Sequence, residues 1–321
     1  MAVLGTGMQL AMPTALAAVG EAFSERAGIL NLGLEGMMLG GALASFLAAF
    51  YLGSAALGAV AGIAAGVLLG VLMAFLSVTL KTEQIINGIA IVLFAGGLTA
   101  FVFEDLFAGA ERPAIEALPD VEVPVLSSLP GIGSILFDQN LLFYVSVVLA
   151  VGVWVLLERT RFGLSVRAVG ERPDAADAAG VSVDGTRWLA LLVCGAMAGL
   201  GGAVLVVGQL SVFDTNVTGG RGFIAIALVI FGRWNPLLVL GGALIFGFVD
   251  ALQLRVQAVS GGFTSGFPFE LFQALPYLVT LLVLVWATVW LRRDAQPAAL
   301  GVPYRKEGSQ RTASVETATT S

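Results

Sequence analysis

The run Ser54-Ala-Ala-Leu-Gly-Ala-Val-Ala-Gly-Ile-Ala-Ala-Gly-Val-Leu-Leu-Gly-Val-Leu-Met-Ala-Phe-Leu-Ser-Val-Thr-Leu80 contains no ionisable side chain. As an α-helix it reaches about 40 Å, more than the roughly 30 Å hydrocarbon core of a bilayer. Comparable runs recur near residues 3–22, 29–50, 85–103, 139–157, 188–208, 221–233, 236–252 and 271–291. The pattern predicts an all-α polytopic membrane bundle of about 8–9 transmembrane helices over residues 1–292. A polar tail at 293–321 lacks apolar periodicity and reads as a disordered extension. Composition agrees: 58% of the 321 residues are hydrophobic and 12% charged, against roughly 45–50% and about 25% in soluble domains. A soluble enzyme is excluded. Histidine is absent and Cys194 is the one cysteine, so no imidazole catalysis, no metal site and no intrachain disulfide is expected.

The run near 221–233 is short. Gly222 to Gly232 covers about 16 Å as a helix, enough for a short crossing or a re-entrant half-helix. Charge bias separates these, because cytoplasmic loops collect Lys and Arg. With the N-terminus outside and nine crossings, the cytoplasmic side receives Arg26, Lys81, Arg159, Arg161, Arg167, Arg172, Arg187, Arg233, Arg292, Arg293, Arg305, Lys306 and Arg311, which is 13 of the 16 basic residues. Arg112, Arg221 and Arg255 stay outside. A re-entrant segment would flip everything after it and leave an even split, so a full crossing and a cytoplasmic C-terminus are expected. No basic residue precedes the first run, so no signal peptide is expected.

Two loops stand out. Residues 104–138 hold Glu104, Asp105, Glu111, Glu116, Asp120, Glu122, Asp138 and four prolines. They read as an external acidic loop, either merely solvated or docking an external partner. Residues 158–187 lie on the cytoplasmic side and contain Glu171-Arg-Pro-Asp-Ala-Ala-Asp-Ala-Ala-Gly180. Pro173 at a helix start, Asp174 in its first turn and Gly180 just past its end predict a two-turn helix at the membrane face. Its alanine-rich side suits a groove of another protein; equally, it suits a plain amphipathic connector.

The string Arg161-Phe-Gly-Leu-Ser-Val-Arg-Ala-Val-Gly-Glu-Arg-Pro-Asp-Ala-Ala-Asp-Ala-Ala-Gly180 resembles the coupling-loop signature of ABC importer permeases of the ribose and branched-chain amino acid type. Ala18-Val-Gly-Glu-Ala-Phe-Ser-Glu-Arg-Ala-Gly-Ile-Leu-Asn-Leu-Gly-Leu-Glu-Gly-Met-Met38 and Gly220-Arg-Gly-Phe-Ile-Ala-Ile-Ala-Leu-Val-Ile-Phe-Gly232 narrow the likeness to the nucleoside and simple-sugar branch. The resemblance runs from about residue 5 to 292. It implies a pore-forming subunit in the cell membrane, paired with a second related permease and fed by an external substrate-binding lipoprotein. It also implies cytoplasmic ABC ATPases that carry ATP and Mg, with no cofactor on this chain. On that resemblance Glu171, Arg172, Pro173, Asp174, Ala175, Ala176, Asp177, Ala178, Ala179 and Gly180 form the coupling helix. The residues agree on one point: no G-x-x-x-x-G-K-[ST] occurs, so ATP hydrolysis belongs to another chain.

Ionisable groups inside spans are costly and usually face the bundle interior or a cavity. Asn31 and Glu35, one helical turn apart, are expected at a pathway or gate, or else Glu35 ties to a base such as Arg26. Asn87, Gln209, Asp214, Asn216, Arg221, Asp250 and Gln253 are further pathway candidates, or helix terminators at the interface. Gly58, Gly62, Gly66 and Gly70 form a slanting packing groove, and Gly195 with Gly199 reads the same way. The likeness of Leu57–Leu80 to Leu237–Leu254 fits an inverted repeat. An alternative function is an ion-coupled secondary transporter with a coupling proton on Glu35 or Asp250, which would need no ATPase-docking helix. An intramembrane enzyme lacks any nucleophile with a base.

Overall fold

A computed structural model describes residues 2–108, 113–116, 118–122, 138–259 and 296–305, with isolated positions 278, 281, 282 and 285. The elements are α1 (Ala2–Arg26), α2 (Leu34–Leu52), α3 (Ala55–Ala74), α4 (Gln84–Phe107), β1 (Asp120–Glu122), β2 (Asp138–Asn140), α5 (Leu141–Arg159), α6 (Arg161–Glu171), α7 (Pro173–Ala178), α8 (Val183–Leu205), α9 (Arg221–Phe231) and α10 (Pro236–Val259). One π turn, Phe75–Thr79, prolongs α3 and another, Val206–Leu210, prolongs α8. Among the described residues seven helices are long and apolar enough to cross a membrane, and α9 is a shorter apolar helix. The run at 271–291 lies almost wholly outside the described residues. The strands β1 and β2 form a small antiparallel pair, Val121 opposite Gln139.

The bundle is built around α8, which lies against α1, α2 and α3, while α10 runs along α1 and α4 leans on α2. Glycine makes this packing close. A Cβ on Gly66 would collide with the carbonyl of Gly195, one on Gly62 would meet Ala203 Cβ at 2.9 Å and one on Gly70 would meet the Leu191 carbonyl at 2.8 Å. Gly41 of α2 abuts Gly199 in the same layer. Lipid offers no hydrophobic drive between helices, so such backbone approach supplies dispersion contact instead. Gly58 sits at the far end of the seam, against the Ser45 carbonyl of α2.

Helices start and stop for local reasons. Ser54 caps α3 through Leu57 N–H, Asn140 caps α5 through Phe143 N–H at 2.9 Å, and Ser182 caps α8 through Gly185 N–H. Pro13 lies inside α1 and carries no N–H, which frees the carbonyl of Gln9 from its helical partner. Gln209 Nε2 fills the gap, donating to that carbonyl at 2.6 Å.

Three expectations need correction. Glu104 and Asp105 belong to the last turn and a half of α4 rather than to the loop. Beyond residue 108 that loop is described only at 113–116, 118–122 and 138; there Ile115 and Leu118 N–H groups bond to the carbonyls of Ser211 and Val207, each at 2.9 Å. Residues 158–187 are more ordered than a loop, since α6 precedes the expected short helix. Residues 296–305, assigned above to a disordered tail, pack against α6 and the α1–α2 turn: Ala299 N–H donates to Gly170 O at 2.9 Å and Gly301 N–H to Gly28 O at 3.2 Å.

The glycine seam generates a test. Gly66→Leu should destabilise the bundle by about 1–3 kcal/mol or more, the cost of overpacking where backbone cannot yield. Gly96→Leu, where nothing lies within 4 Å, should be neutral. Thermal unfolding in detergent would read both, and equal melting would refute the seam.

Candidate functional site

The corner that presents the short helix begins where α5 ends. Thr160 is extended and its hydroxyl accepts Gly163 N–H at 3.0 Å, capping α6. Gly163 is required there, because a Cβ would strike the carbonyls of Leu156 and Leu157. Arg167 closes the corner with an ion pair to Glu158 at 3.0 Å. Arg172 then leaves the helical region at φ −144°, ψ 84°, and Pro173 restarts it as the first residue of α7. Gly180, at φ +85°, ends the turn in a conformation that glycine tolerates. Of residues 171–180 only Ala176 is buried, with Pro173 and Asp177 half-buried. The element projects from the bundle and shows Arg172, Asp174, Ala175, Ala178 and Ala179 outward.

Its base rests on the bundle. Val169, Ala176 and Val183 form a small apolar cluster joined by Tyr304. Gly170 lies so close to the end of α1 that a Cβ would hit the Arg26 carbonyl. Arg26 Nε in turn donates to the Trp234 carbonyl at 3.0 Å, and the Trp234 indole N–H donates to Glu25 Oε2. Arg233 and Trp234 have φ of 52° and 57°, which disfavours residues with a Cβ. Two bonds from α1 hold that strained turn between α9 and α10. One turn earlier, Glu21 accepts Asn31 N–H at 2.8 Å and the Cys194 thiol at 3.3 Å, joining α1 to the α1–α2 turn and to α8.

Asn31 is a turn residue in this arrangement. Its Oδ1 accepts Gly33 N–H at 3.0 Å, and its amide lies 3.4 Å from Met37 Sδ and from Cys194 Sγ. Glu35 does something the sequence did not disclose. Its Oε1 accepts the Thr218 hydroxyl at 2.6 Å and Gly220 N–H at 2.9 Å, and its Oε2 accepts Gly222 N–H at 2.6 Å. These donors are the opening of α9, so the carboxylate caps the positive end of a half-helix. The expected tie to Arg26 is not made. A Cβ on Gly222 would sit 2.5 Å from Glu35 Cα, so glycine is what admits α2 to the helix end. Helix α9 starts beside the middle of α1, where Arg221 Nη1 lies 3.4 Å from the Leu10 carbonyl, and ends at the Trp234 turn beside Arg26. Residues 211–220 and α9 therefore share one passage between the two ends of the bundle, irregular in its first part and helical in its second.

The remaining polar candidates are placed as follows. Asn87 bonds Ser77 Oγ at 3.0 Å and Thr82 Oγ1 at 2.9 Å, tying the π turn after α3 to the start of α4. Arg221 pairs with Asp250 at 3.0 Å, both largely buried. Gln209 serves the carbonyl freed by Pro13. Asp214 Oδ1 accepts Asn216 N–H at 3.0 Å in an exposed turn, and Gln253 is buried on α10. Two cavities, of about 470 and 430 Å³, lie elsewhere: one between Phe50, Ser54 and Glu116, the other an apolar recess between α2, α3 and α4. None of the nine candidates lines either. Among the described residues no cluster of His, Cys, Asp or Glu is arranged to hold a metal ion. Sequence reasoning missed Glu21, Glu25 and Trp234. The signal was present: two carboxylates four apart at the end of an apolar run, with no base between them until Arg26.

Comparison with known proteins adds a lineage to this geometry. The model of a family described as branched-chain amino acid transport system permease components matches residues 3–284. The chain is 37% identical to an ABC transporter permease protein of Haloferax volcanii named for glucose, over 95% of this chain and 98% of that one. It is 36% identical to the nucleoside ABC transporter permease protein of Lactococcus lactis, over 92% and 93%. A solved structure described as an inward-facing metal-chelate type ABC transporter shares the fold at a TM-score of 0.52, with 17% identity, covering 88% of this chain and 84% of that one.

Glu35→Gln should destabilise the bundle by about 1–3 kcal/mol, since an amide presents one acceptor and sets its own NH2 against a backbone donor. The expected readout is a lower thermal midpoint with unaltered expression. A midpoint equal to wild type would show that the cap does not hold α9.

Proposed function

The chain belongs to the family of permease components of branched-chain amino acid transport systems, and from that premise we propose that it lines the pore of an ATP-driven importer of nucleosides or simple sugars. The glucose and nucleoside relatives support that substrate range. It is a multi-pass membrane protein. A second, related permease completes the pore, an external binding lipoprotein delivers the cargo, and cytoplasmic ABC ATPases hydrolyse ATP with Mg. This chain holds no nucleotide and catalyses no reaction.

The observation that carries the reading is the exposure of α7. Six helical residues stand outside the bundle with one of them buried, yet their base is pressed on the end of α1. A connector at the membrane face would gain by laying its alanine side on the bundle; this one turns that side outward. Its end of the bundle also carries Arg26, Arg159, Arg161, Arg167, Arg172, Arg187 and Arg233, which supports a cytoplasmic placement with the N-terminus outside. Residues 113–116 and 118–119 lie at the opposite end, where Ile115 and Leu118 bond to the close of α8, and suit contact with the binding lipoprotein. The ion-coupled alternative named Glu35 and Asp250 as proton carriers, and both carboxylates are engaged, one by three donors and one by Arg221.

Motion reaches the bundle through the corner. ATP-driven closure of the ATPase pair displaces α7, Gly170 presses on Arg26, and α1 carries the displacement to the Trp234 turn. Proteoliposomes holding both permeases, the ATPase and the lipoprotein should accumulate labelled guanosine or glucose only with ATP. Pro173→Gly and Asp174→Arg should reduce uptake by roughly tenfold, as a coupling free energy of about 1–3 kcal/mol implies, with membrane insertion intact. Uptake by this chain without an ATPase would overturn the proposal.

A further inference from the structure

The segment 296–305 bonds to two places at once. On one side Ala299 N–H donates to the Gly170 carbonyl and Ala298 N–H lies 3.4 Å from Glu171 Oε2, at the foot of α7. On the other side Gly301 N–H donates to the Gly28 carbonyl in the α1–α2 turn. Arg187, at the start of α8, locks the two together. Its Nε donates to the Ala27 carbonyl at 3.3 Å and its Nη1 to the Val302 carbonyl at 3.1 Å, and the side chain is 2% exposed. Gly28, at φ +85°, leaves room for this guanidinium: a Cβ there would meet Nη2 at 2.9 Å. Tyr304 then covers the cluster of Val169, Ala176 and Val183 that seats α7.

We infer that residues 296–305 are a coupling strap, latched by Arg187, that makes α7 and the α1–α2 turn move as one body. This rests on the reading of α7 as the ATPase-coupling helix. Without the strap, the corner meets α1 at one close contact, that of Gly170 in α6, and α7 is seated on α6 and α8 by a patch of three small apolar side chains. Such a patch transmits a push but slips under a pull. The strap adds main-chain bonds on both sides, so that withdrawal of the ATPase drags the end of α1 as firmly as its approach drives it. Arg187 is a positioning residue: it touches no cargo and acts through Ala27 and Val302.

The strap is tested by ending the chain at Ala295, with a chain ending at Arg305 as control. Amide exchange on the purified permease should quicken by at least about tenfold at residues 171–180 and 27–31 when the strap is lost, the signature of a lowered local opening free energy. It should stay at wild-type rates in the control. In proteoliposomes the strapless permease should still copurify with the ATPase, and that ATPase should still hydrolyse ATP, while cargo moved per ATP falls by about tenfold. Arg187→Lys, which keeps the charge but loses the rigid guanidinium fork that spans the two carbonyls, and Tyr304→Ala should show the same pattern at full chain length, and they carry the test if the shortened chain fails to fold. Wild-type exchange and wild-type cargo per ATP in these variants would overturn the strap. If instead the wild-type complex took up nothing with ATP, the importer reading would fall while the exchange measurement still decided the strap.

Discussion

Inside a bilayer no water stands ready to bond a peptide group, so every break in a helix must be answered by another part of the protein. This constraint organises the polar residues of the bundle. Pro13 frees the Gln9 carbonyl, and Gln209 meets it. The chain between α1 and α2 exposes the N–H groups of Leu30 and Asn31, and Gln84 and Glu21 accept them. The π turn after α8 leaves the Gly208 carbonyl, which Asn140 bonds at 2.8 Å. The irregular passage before α9 presents Gly220 and Gly222, and Glu35 takes both. Each of these side chains is an amide or a carboxylate, the groups best able to reach a lone backbone partner. Read singly, they look like a hydrophilic path; taken together, they are the repairs that let the helices be discontinuous.

Glycine solves the other half of the problem. Seated on α3 and α8, the series from Gly58 to Gly70 and the pair Gly195 and Gly199 bring two backbones into contact, and Gly41 brings in a third. The consequence is a stiff centre. With α1, α2, α3 and α8 joined at backbone distance, and with the breaks between them tied by side-chain amides and carboxylates, this centre has little freedom to bend. Among the described residues the short helix α7 stands apart from this body, and even it is seated on Gly170.

How much of this could be read beforehand follows from the kind of signal each feature leaves. The spans were legible because an uncharged run of sufficient length has few other uses. The short helix was legible because Pro173, Asp174 and Gly180 mark a start, a first turn and an end by local chemistry. Helix α6 was not, although Thr160 caps it and Phe162, Val166 and Val169 share its buried side; the three charges of that helix disguised the period. Glu35 was singled out as a costly intramembrane group, with a pathway or gate role or a tie to a base such as Arg26 as the alternatives, and neither named the partners it has. Its partners at 218–222 lie far along the chain and offer backbone N–H groups, which no side-chain pattern reveals. The strap was invisible for the same reason. Segment 296–305 binds mainly through its main chain, and Arg187 looked like one more cytoplasmic charge.

A bundle in which six of the polar candidates are already engaged bears on how cargo would pass. Asn31, Glu35, Asn87, Gln209, Arg221 and Asp250 are engaged within the chain, so a route threaded through this bundle alone would have to break the bonds that hold it. A route between two such bundles would not. Each subunit would keep its repairs and its glycine seam, and the opening would change by rocking one rigid body against the other, the mode expected where repeats or subunits flank a central path. In that arrangement the half-helix α9 is the element best placed to feel the motion. Glu35 fixes its start to α2, and Trp234 fixes its end to Glu25 and Arg26, which abut the foot of α7. On the proposed function, displacement of the corner that carries α7 would reach the middle of the membrane through two clamps and about 16 Å of helix.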